Sequence, residues 1–584
     1  MSAAHAGSEP ALRFEPDEQP PRGLALGVGL QLAVLNIAAV MLIPMVVMRA
    51  AGTTGAYLTW AVLASVSICG VTTILQSLRV GRLGAGHVMV MGTSGAFIPA
   101  SIMALNEGGP ALLAILVAIS SLVPLLLSWR LSLFQRILTP AVSGTVIMLI
   151  PITVMPFVSG LLSGATGQPT APGVALSFFL TVIVIAGLAL RATGAVRLWA
   201  PVIGVVAGSA VAAAYGLYNM ERVAAAPWVA PPDVQAPGFD LAFGPAFWAL
   251  LASFLLVAAI ASIRTMSSAV AVQRVSWRRK SRAIDFRAVQ GAMAVDGVGN
   301  LLAGMAGTVP GSATTTSVPL TQLTGVAARA VGIVAGATFL AFALLPKAFA
   351  TVLAIPDPVF AGYLVVLLAM LFAIGMKIVL QDGLGYREGM IVGVAFLVGV
   401  AFEYGMIFPG QVSRFAGGLL ENGMNAGGFT AILMTLILRL TDPRPARLET
   451  PFDPSEWPGI RDFLGDFASR SGWGNAMGDR LAAATEEALL TVAGDGDPAP
   501  GTGRRLLLVA RREKGGALLE LFVAPRGENL QDRLALLSER EDAAAVETEV
   551  SLRLLRHLAS SVRHQQYHDT DIVTIRVQVP GDGP

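Results

Sequence analysis

The chain has 584 residues, 54% hydrophobic and only 13% charged, with a formal net charge of +2 and one cysteine. A soluble protein carries about 25% charged residues, so the composition excludes an all-soluble chain. A single cysteine, Cys69, excludes an internal disulfide and a cysteine-based metal centre; no metal, cofactor, enzymatic activity or nucleic-acid partner is expected.

Residues 1–23 are polar and proline-rich, without the apolar core of a signal peptide. They are expected to be a disordered lead-in. From Leu24 to Leu440 charges are sparse, and apolar runs of about 20 residues recur, the length that crosses a hydrocarbon core. Fourteen spans are expected, beginning near residues 25, 56, 86, 110, 134, 173, 198, 246, 290, 313, 328, 356, 386 and 426. Residues 24–444 thus form a membrane domain in the lipid bilayer, and 445–584, rich in Arg, Glu and Asp, a small cytoplasmic domain. With both termini in the cytoplasm, Arg79, Arg82, Arg130, Arg136, Arg191, Arg197 and the cluster Arg274–Arg287 all fall on the inner side, as the positive-inside rule requires. Arg49 and Lys347 fall on the outer side and are the exceptions.

The third and tenth spans are interrupted. The stretches VMVMGTSGAFIPA (Val88–Ala100) and MAGTVPGSATTTSVPL (Met305–Leu320) put Gly, Pro, Ser and Thr where a spanning helix carries Leu and Val. Irregular backbone at membrane depth is tolerated only inside protein or along a wet cavity. Broken segments at corresponding places in two halves point to a transporter's binding site. Breaks at spans three and ten divide the chain as seven plus seven spans, an inverted repeat.

Several stretches resemble the nucleobase–ascorbate transporter family (nucleobase:cation symporter-2, which includes uracil and xanthine permeases). They are GLQLAVLN (Gly29–Asn36), VMGTSGAFIP, DGVGNLLAGMAGTVP (Asp296–Pro310), LTGVAAR (Leu323–Arg329) and IPDPVFAG (Ile355–Gly362), in order over about residues 24–440. The resemblance implies an α-helical fold with a core of spans 1–4 and 8–11 and a gate of spans 5–7 and 12–14. It implies a site between the half-helices of spans three and ten, facing span eight. It also implies secondary transport of a base such as uracil, xanthine or urate, coupled to H+ or Na+. A homodimer in the cell inner membrane is expected.

Backbone amides near Gly95 and Thr315 would project from half-helix ends, where N–H donors and partial positive charge suit a base's carbonyls. Glycine at 95 lets a flat ring approach, or only lets helices pack. Thr93, Ser94, Ser312, Thr314 and Thr315 either contact substrate or satisfy the broken backbone, and Thr316 and Ser317 are counted with the substrate site. Span eight, aligned on Gln273, reads ASIRTMSSAVAVQ. Arg264 then stands where the family has glutamate, Ser267 at its glycine and Ser268 at its aspartate; a shift by two places Ser262 there instead. Thr316 and Ser317 replace the family's Glu/Gln and Asn in span ten. The coupling carboxylate therefore does not carry over. Arg264, a cation at membrane depth, either favours an anionic or carbonyl-rich ligand or is a structural residue. Gln31 suits an amide-like base edge, and Asn36 suits packing. His87 is expected at the interface and Glu403 near the outer surface, with Asp296 a partner for Arg264.

In the last domain, helices at Asp479–Gly494 and Glu549–Val562 alternate with strands at Leu506–Arg512, Ala517–Pro525 and Asp571–Val579. That order resembles histidine-kinase-like ATPases, closest to the serine kinases that act as anti-sigma factors. Glu487 is followed four residues on by Thr491 instead of asparagine, and PRGEN (Pro525–Asn529) replaces the adenine-reading loop. A degenerate regulatory or oligomerising module is expected, against a plain α/β cap without ligand. Two other readings of the whole chain stand beside base transport. One is an anion carrier of the sulfate-permease type using Arg264. The other is a transporter-like sensor that signals through the last domain.

Overall fold

The structure is a computed structural model. It describes residues 12–579 apart from 130–138, 165–171, 230–233, 279–284, 381–384, 408–422, 442–444, 494–504, 524–554 and single positions 54, 219, 514, 556, 568 and 569. The chain divides into two compact units: Met1–Ser276 with Ala288–Arg439, and Trp277–Arg287 with Leu440–Pro584.

The first unit is helical. Helices α1 (Arg22–Ala50) and α2 (Ala56–Leu78) precede strand β1 (Met91–Thr93), a 3-10 turn (Gly95–Phe97), α3 (Ile98–Ser120) and α4 (Leu122–Trp129). Next come α5 (Pro140–Gly164), α6 (Pro172–Arg191), α7 (Gly194–Ala214), the short α8 (Met220–Ala225), α9 (Pro245–Val275) and α10 (Phe286–Ala306). Strand β2 (Gly311–Ala313) leads into α11 (Ser317–Thr324), α12 (Arg329–Ala343), α13 (Pro346–Leu353), α14 (Asp357–Leu380), α15 (Tyr386–Glu403) and α16 (Gly423–Thr441). Helix α3 is broken at Gly109, whose φ of +67° leads into Pro110. Glycine takes that left-handed conformation without steric cost, and proline cannot continue the preceding turn.

A helix, or a strand and helix, stands near each position expected for a span. Among the described residues, seven helices are long and apolar enough to cross a membrane, or eight if α12 and α13, bent by 83°, count as one span. The protein is a multi-pass helical membrane protein.

Small residues set the helix contacts. A Cβ on Gly70 would lie 2.9 Å from the Gly336 carbonyl oxygen, and one on Gly336 2.6 Å from that of Gly70, so α2 and α12 touch backbone to backbone. Gly144 and Gly375 do the same for α5 and α14, at 2.6 and 2.7 Å. Lipid gives helices no hydrophobic reason to associate, so close van der Waals approach must supply it.

The two charge exceptions both have partners. Arg49 Nη1 reaches Asp357 Oδ1 at 2.7 Å, its guanidinium also donates to the carbonyls of Leu353 and Ile355, and it stacks over Phe360. Lys347 sits 4.6 Å over the Trp228 ring. Each cation is compensated locally.

One expectation needs correction. Residues 12–21 are not a loose lead-in. Phe14 bridges Val326 in parallel, Arg13 and Phe14 donate to the Gly325 carbonyl, and Ala327 and Arg329 donate back to Phe14 and Pro16. Arg329 adds an ion pair to Asp17 at 2.7 Å. Gly325 ends α11 with a left-handed φ of +69°. Its carbonyl is among those a helix end leaves without an intrahelical donor, and the strap supplies donors. Residues 1–11 lie outside the described residues.

The second unit is an antiparallel five-stranded sheet in the order β3 (Ala446–Pro451), β4 (Arg505–Glu513), β5 (Gly516–Val523), β7 (Thr570–Gln578), β6 (Ser561–Tyr567). Leu506, Leu508 and Ala510, then Ala517, Leu519, Leu521 and Val523, then Val573, Ile575 and Val577 alternate along their strands and are all buried. Period-two burial is the signature of a sheet with one covered face. Helices α17 (Trp457–Arg470) and α18 (Asn475–Ala493) add Leu464, Phe467, Leu481 and Ala488 to the same core. The helix expected at Glu549–Val562 does not reach its end: Ser561 and Val562 already belong to β6, paired with Arg576 and Ile575. Long-range pairing overrides the local helical pattern there. Residues 549–554 and the PRGEN stretch lie outside the described residues.

Candidate functional site

The two interrupted segments meet. Strands β1 and β2 pair antiparallel, with Met91 opposite Ala313, Gly92 opposite Ser312 and Thr93 opposite Gly311. Amides at both ends are also used: Ser94 donates to Pro310 at 3.0 Å and Thr314 to Val90 at 2.9 Å. Backbone that cannot be helical at membrane depth is satisfied by its counterpart from the other half. Because the pairing is antiparallel, the chain leaves β1 at the Gly311 end and β2 at the Val90 end. The 3-10 turn with α3 and the short α11 therefore depart in opposite directions, both N-termini at the sheet.

Neighbouring helices clamp this crossing. Thr265 of α9 is the hub: its hydroxyl donates to Asp296 Oδ2 at 2.8 Å and accepts from the Ala313 amide at 3.2 Å. Asn300, one turn beyond Asp296 on α10, donates to Asp296 Oδ1 at 3.3 Å and accepts from the Gly311 amide at 2.7 Å. Both carboxylate oxygens are thus occupied. From α1, Asn36 Oδ1 accepts from Thr316 at 2.8 Å and Thr314 at 3.4 Å, and its amide donates to the Leu32 carbonyl. The Thr93 hydroxyl reaches the carbonyls of Ala39 and Val40. Gln76 of α2 donates to the Ala292 carbonyl, and Thr73 accepts from the Met91 amide.

The expected site residues fall into three groups. Thr93, Thr314 and Thr316 are brought to the crossing and bonded there. Ser94, Ser268 and Ser317 are buried, and their hydroxyls have no hydrogen-bond partner among the described residues. Ser312 is buried on β2, where it faces Gly92 across the pair. Gly95 starts the first half-helix, and a Cβ there would come 3.3 Å from Leu371 Cδ1 of α14. Ser262 is buried with its hydroxyl on the Ala258 carbonyl. Thr315 and Ser267 are exposed and form the third group with Gln31. Gln31 is half-buried on α1, about 7.5 Å of helix rise before Asn36.

Arg264 is half-buried on α9 and makes no hydrogen bond or ion pair among the described residues. Asp296 is its charge partner, as expected, though without a direct bond; Thr265 and Asn300 hold that carboxylate by hydrogen bonds. His87 is buried, with Nδ1 on the Ala85 carbonyl at 2.8 Å. Glu403 accepts from the Gly423 amide at 2.7 Å. Sequence reasoning assigned Asn36 to packing, but it is the link from α1 to the second half-helix. The signal was there: a buried side-chain amide in an apolar span needs partners. Thr265 gave no such signal, since a threonine in a span can bond its own backbone.

A small cavity of about 20 Å³ lies beside the strands, lined by Ser65, Thr72, Met91, Gly92, Asn300 and Thr308. It has room for about one water and none for a ring.

The chain has relatives among known proteins. Xanthine permease XanP of Escherichia coli (strain K12) is 27% identical over 445 residues, spanning 73% of this chain and 94% of that protein. Uric acid permease PucK of Bacillus subtilis (strain 168) is 26% identical over 432 residues, 72% of this chain and 97% of that one. Among solved structures, the transmembrane domain of a cyanobacterium bicarbonate transporter, BicA, is 14% identical with a TM-score of 0.44, covering 72% of this chain and 99% of that one. Residues 24–406 match the family model described as Permease family, Xan_ur_permease, and the chain belongs to that family.

Proposed function

We propose that the protein is a secondary transporter of a nucleobase of the xanthine, urate and uracil class, which it holds between the two half-helices at the β1–β2 crossing. The observation that carries this is the crossing itself: two interrupted segments, one from each half, pair as strands and send short helices in opposite directions. Exposed N–H donors at helix starts suit a ring bearing carbonyls. The relatives that share the whole membrane region are named for xanthine and uric acid.

The fourteen-span, seven-plus-seven reading is part of this proposal. The core is spans 1–4 and 8–11, and the gate is spans 5–7 and 12–14, with the substrate carried by alternating access. Helix packing supports it. Helices α5, α6, α7, α14 and α15 contact one another, and α1, α2, α3, α9 and α12 form a second set around the strands. Leu371, on the gate side, leans against Gly95 and has to withdraw before a ring can sit there. We place both termini in the cytoplasm of a cell inner membrane, with H+ or Na+ coupling and a homodimeric assembly. The last domain, 445–584, is a degenerate ATPase-like module that regulates the carrier.

The test is uptake of radiolabelled xanthine, urate and uracil into proteoliposomes holding the full chain, with and without a protonophore or a sodium gradient. Saturable uptake of at least one base is expected, and Gly95→Val, which fills the seat beside Leu371, abolishes it in protein that remains folded. Uptake of no base, or wild-type rates in Gly95→Val, overturns the proposal.

A further inference from the structure

We infer that Asn425 is a positioning residue of the transport cycle: its amide bolts the gate to the core through Ser253, and that bolt parts and re-forms at every turnover. The inference deepens the proposed nucleobase transport and rests on it, including its division into core and gate.

Helix α16 has two unlike faces. Gly423 and Gly427, one turn apart, lie against α15. A Cβ on Gly399 would come 2.7 Å from the Gly423 carbonyl oxygen, and one on Gly427 2.7 Å from that of Ala395. The Gly423 amide also donates to Glu403 at the end of α15. Backbones packed this closely through small residues make α15 and α16 one piece of the gate. The other face meets α9 of the core. Asn425 and Gly428, three residues apart and so on one side of the helix, both touch it. Asn425 Nδ2 donates to Ser253 Oγ, and a Cβ on Gly428 would come 2.7 Å from Leu256 Cδ2.

This bond is placed to matter. Ser253 is 0% exposed and Asn425 1%, so no water stands ready to replace either partner, and a buried amide is tolerated only while it is bonded. The next residue along α9, Phe254, has its ring 6.0 Å from that of Phe97, which ends the 3-10 turn at the crossing. The bolt is therefore one residue away from the aromatic contact that backs the first half-helix. In the proposed topology α9 and α16 both enter from the outer face, and Ser253 and Asn425 lie in their outer halves. Bonded, they hold gate against core on that side and close the carrier to the outside. Opening outward draws the gate away from α9 and parts two buried polar groups, so this one hydrogen bond tips the balance severalfold toward the closed form.

The experiment uses the full chain in cells without base permeases of their own, so that labelled xanthine, urate or uracil, whichever the wild type takes up, meets only the outer face. Asn425→Ala and Ser253→Ala are each expected to lower the apparent KM about threefold or more, because the outward-open fraction rises. The double variant is expected to lower it no further than either, because one bond is lost only once. A residue that merely packs would reduce the amount of folded protein and leave KM where it was. A second measurement is made in proteoliposomes on Ser253→Cys with Asn425→Cys, in Cys69→Ser protein so that these are the only thiols. Mercuric ion bridges the two thiols, each giving up its proton, and bridging is read as loss of free thiol. Bridged protein is expected to stop transporting and to recover with excess dithiothreitol, while each single-cysteine variant keeps its uptake. Unchanged KM in both alanine variants, or full uptake through the bridged pair, overturns the bolt and leaves base transport standing. Uptake of no base by the wild type overturns base transport and this inference together.

Discussion

Thr265 asks more of one hydroxyl than any other residue at the crossing. It donates to a buried carboxylate and accepts from a strand amide. Thr265→Val keeps the shape but leaves Asp296 Oδ2 and the Ala313 amide each short of a partner. Stranding a buried polar group costs about 1–3 kcal/mol, so a clear drop in thermal stability in detergent is expected, with Thr265→Ser recovering most of it. An unchanged melting temperature in Thr265→Val would remove the hub role. Asn36→Leu makes a different case. It removes the shared side-chain acceptor of the Thr314 and Thr316 hydroxyls, leaving Thr314 on the Val90 carbonyl and Thr316 on Thr314. Uptake is expected to fall more than stability, measured as base counterflow alongside melting, because those two threonines can turn to other acceptors but the half-helix loses its tie to α1.

Helices here meet through what is missing from their side chains. Gly70→Val would push a branched side chain into backbone 2.9 Å away, where nothing flexible can give. Overpacking of this sort typically costs 1–3 kcal/mol or more, so Gly70→Val and Gly336→Val should each depress the melting temperature, whereas Gly160→Val, which meets nothing within 4 Å, should not. The Arg49–Asp357 pair joins the end of α1 to the start of α14. Exposed pairs contribute about 0.2–1 kcal/mol, and this one is half-exposed on the Asp357 side, so its value lies in geometry. Arg49→Asp is expected to slow exchange between the two faces in counterflow assays. The swap Arg49→Asp with Asp357→Arg should restore only part, because the carbonyls of Leu353 and Ile355 still lose their donors. The sequence told much at this scale. The paired runs of Gly, Pro, Ser and Thr announced both interruptions, since no apolar helix is written that way. What met what was hidden: Asn36 and Thr314 lie 278 positions apart, and local composition carries no trace of such a partner. The same holds for β6, where a run that reads as helix is claimed by β7, and for residues 12–21, whose prolines look like disorder until Gly325 is in place.

At the scale of the whole chain, the membrane region and the last domain have separate hydrophobic cores. Protein ending at Thr441 is therefore expected to insert, melt cooperatively and take up base. Failure of that truncated form to transport would instead favour a sensor in which the last domain is obligatory. On the proposal that the domain 445–584 is a degenerate ATPase-like module, with Thr491 where the resemblance puts a magnesium-holding asparagine, the isolated domain is expected to hydrolyse no ATP; measurable turnover would contradict that proposal. The leading segment carries a different lesson. Its backbone is stitched to the residue that closes α11, the short helix whose other end lies at the β1–β2 crossing. A sideways shift of that helix, however small, is handed to residues 13–16 through four main-chain bonds. A fluorophore attached at Leu12 is expected to report the movements of that helix. By the same token, an affinity tag fused too close to Leu12 would pull on the very piece of backbone it was meant to leave alone.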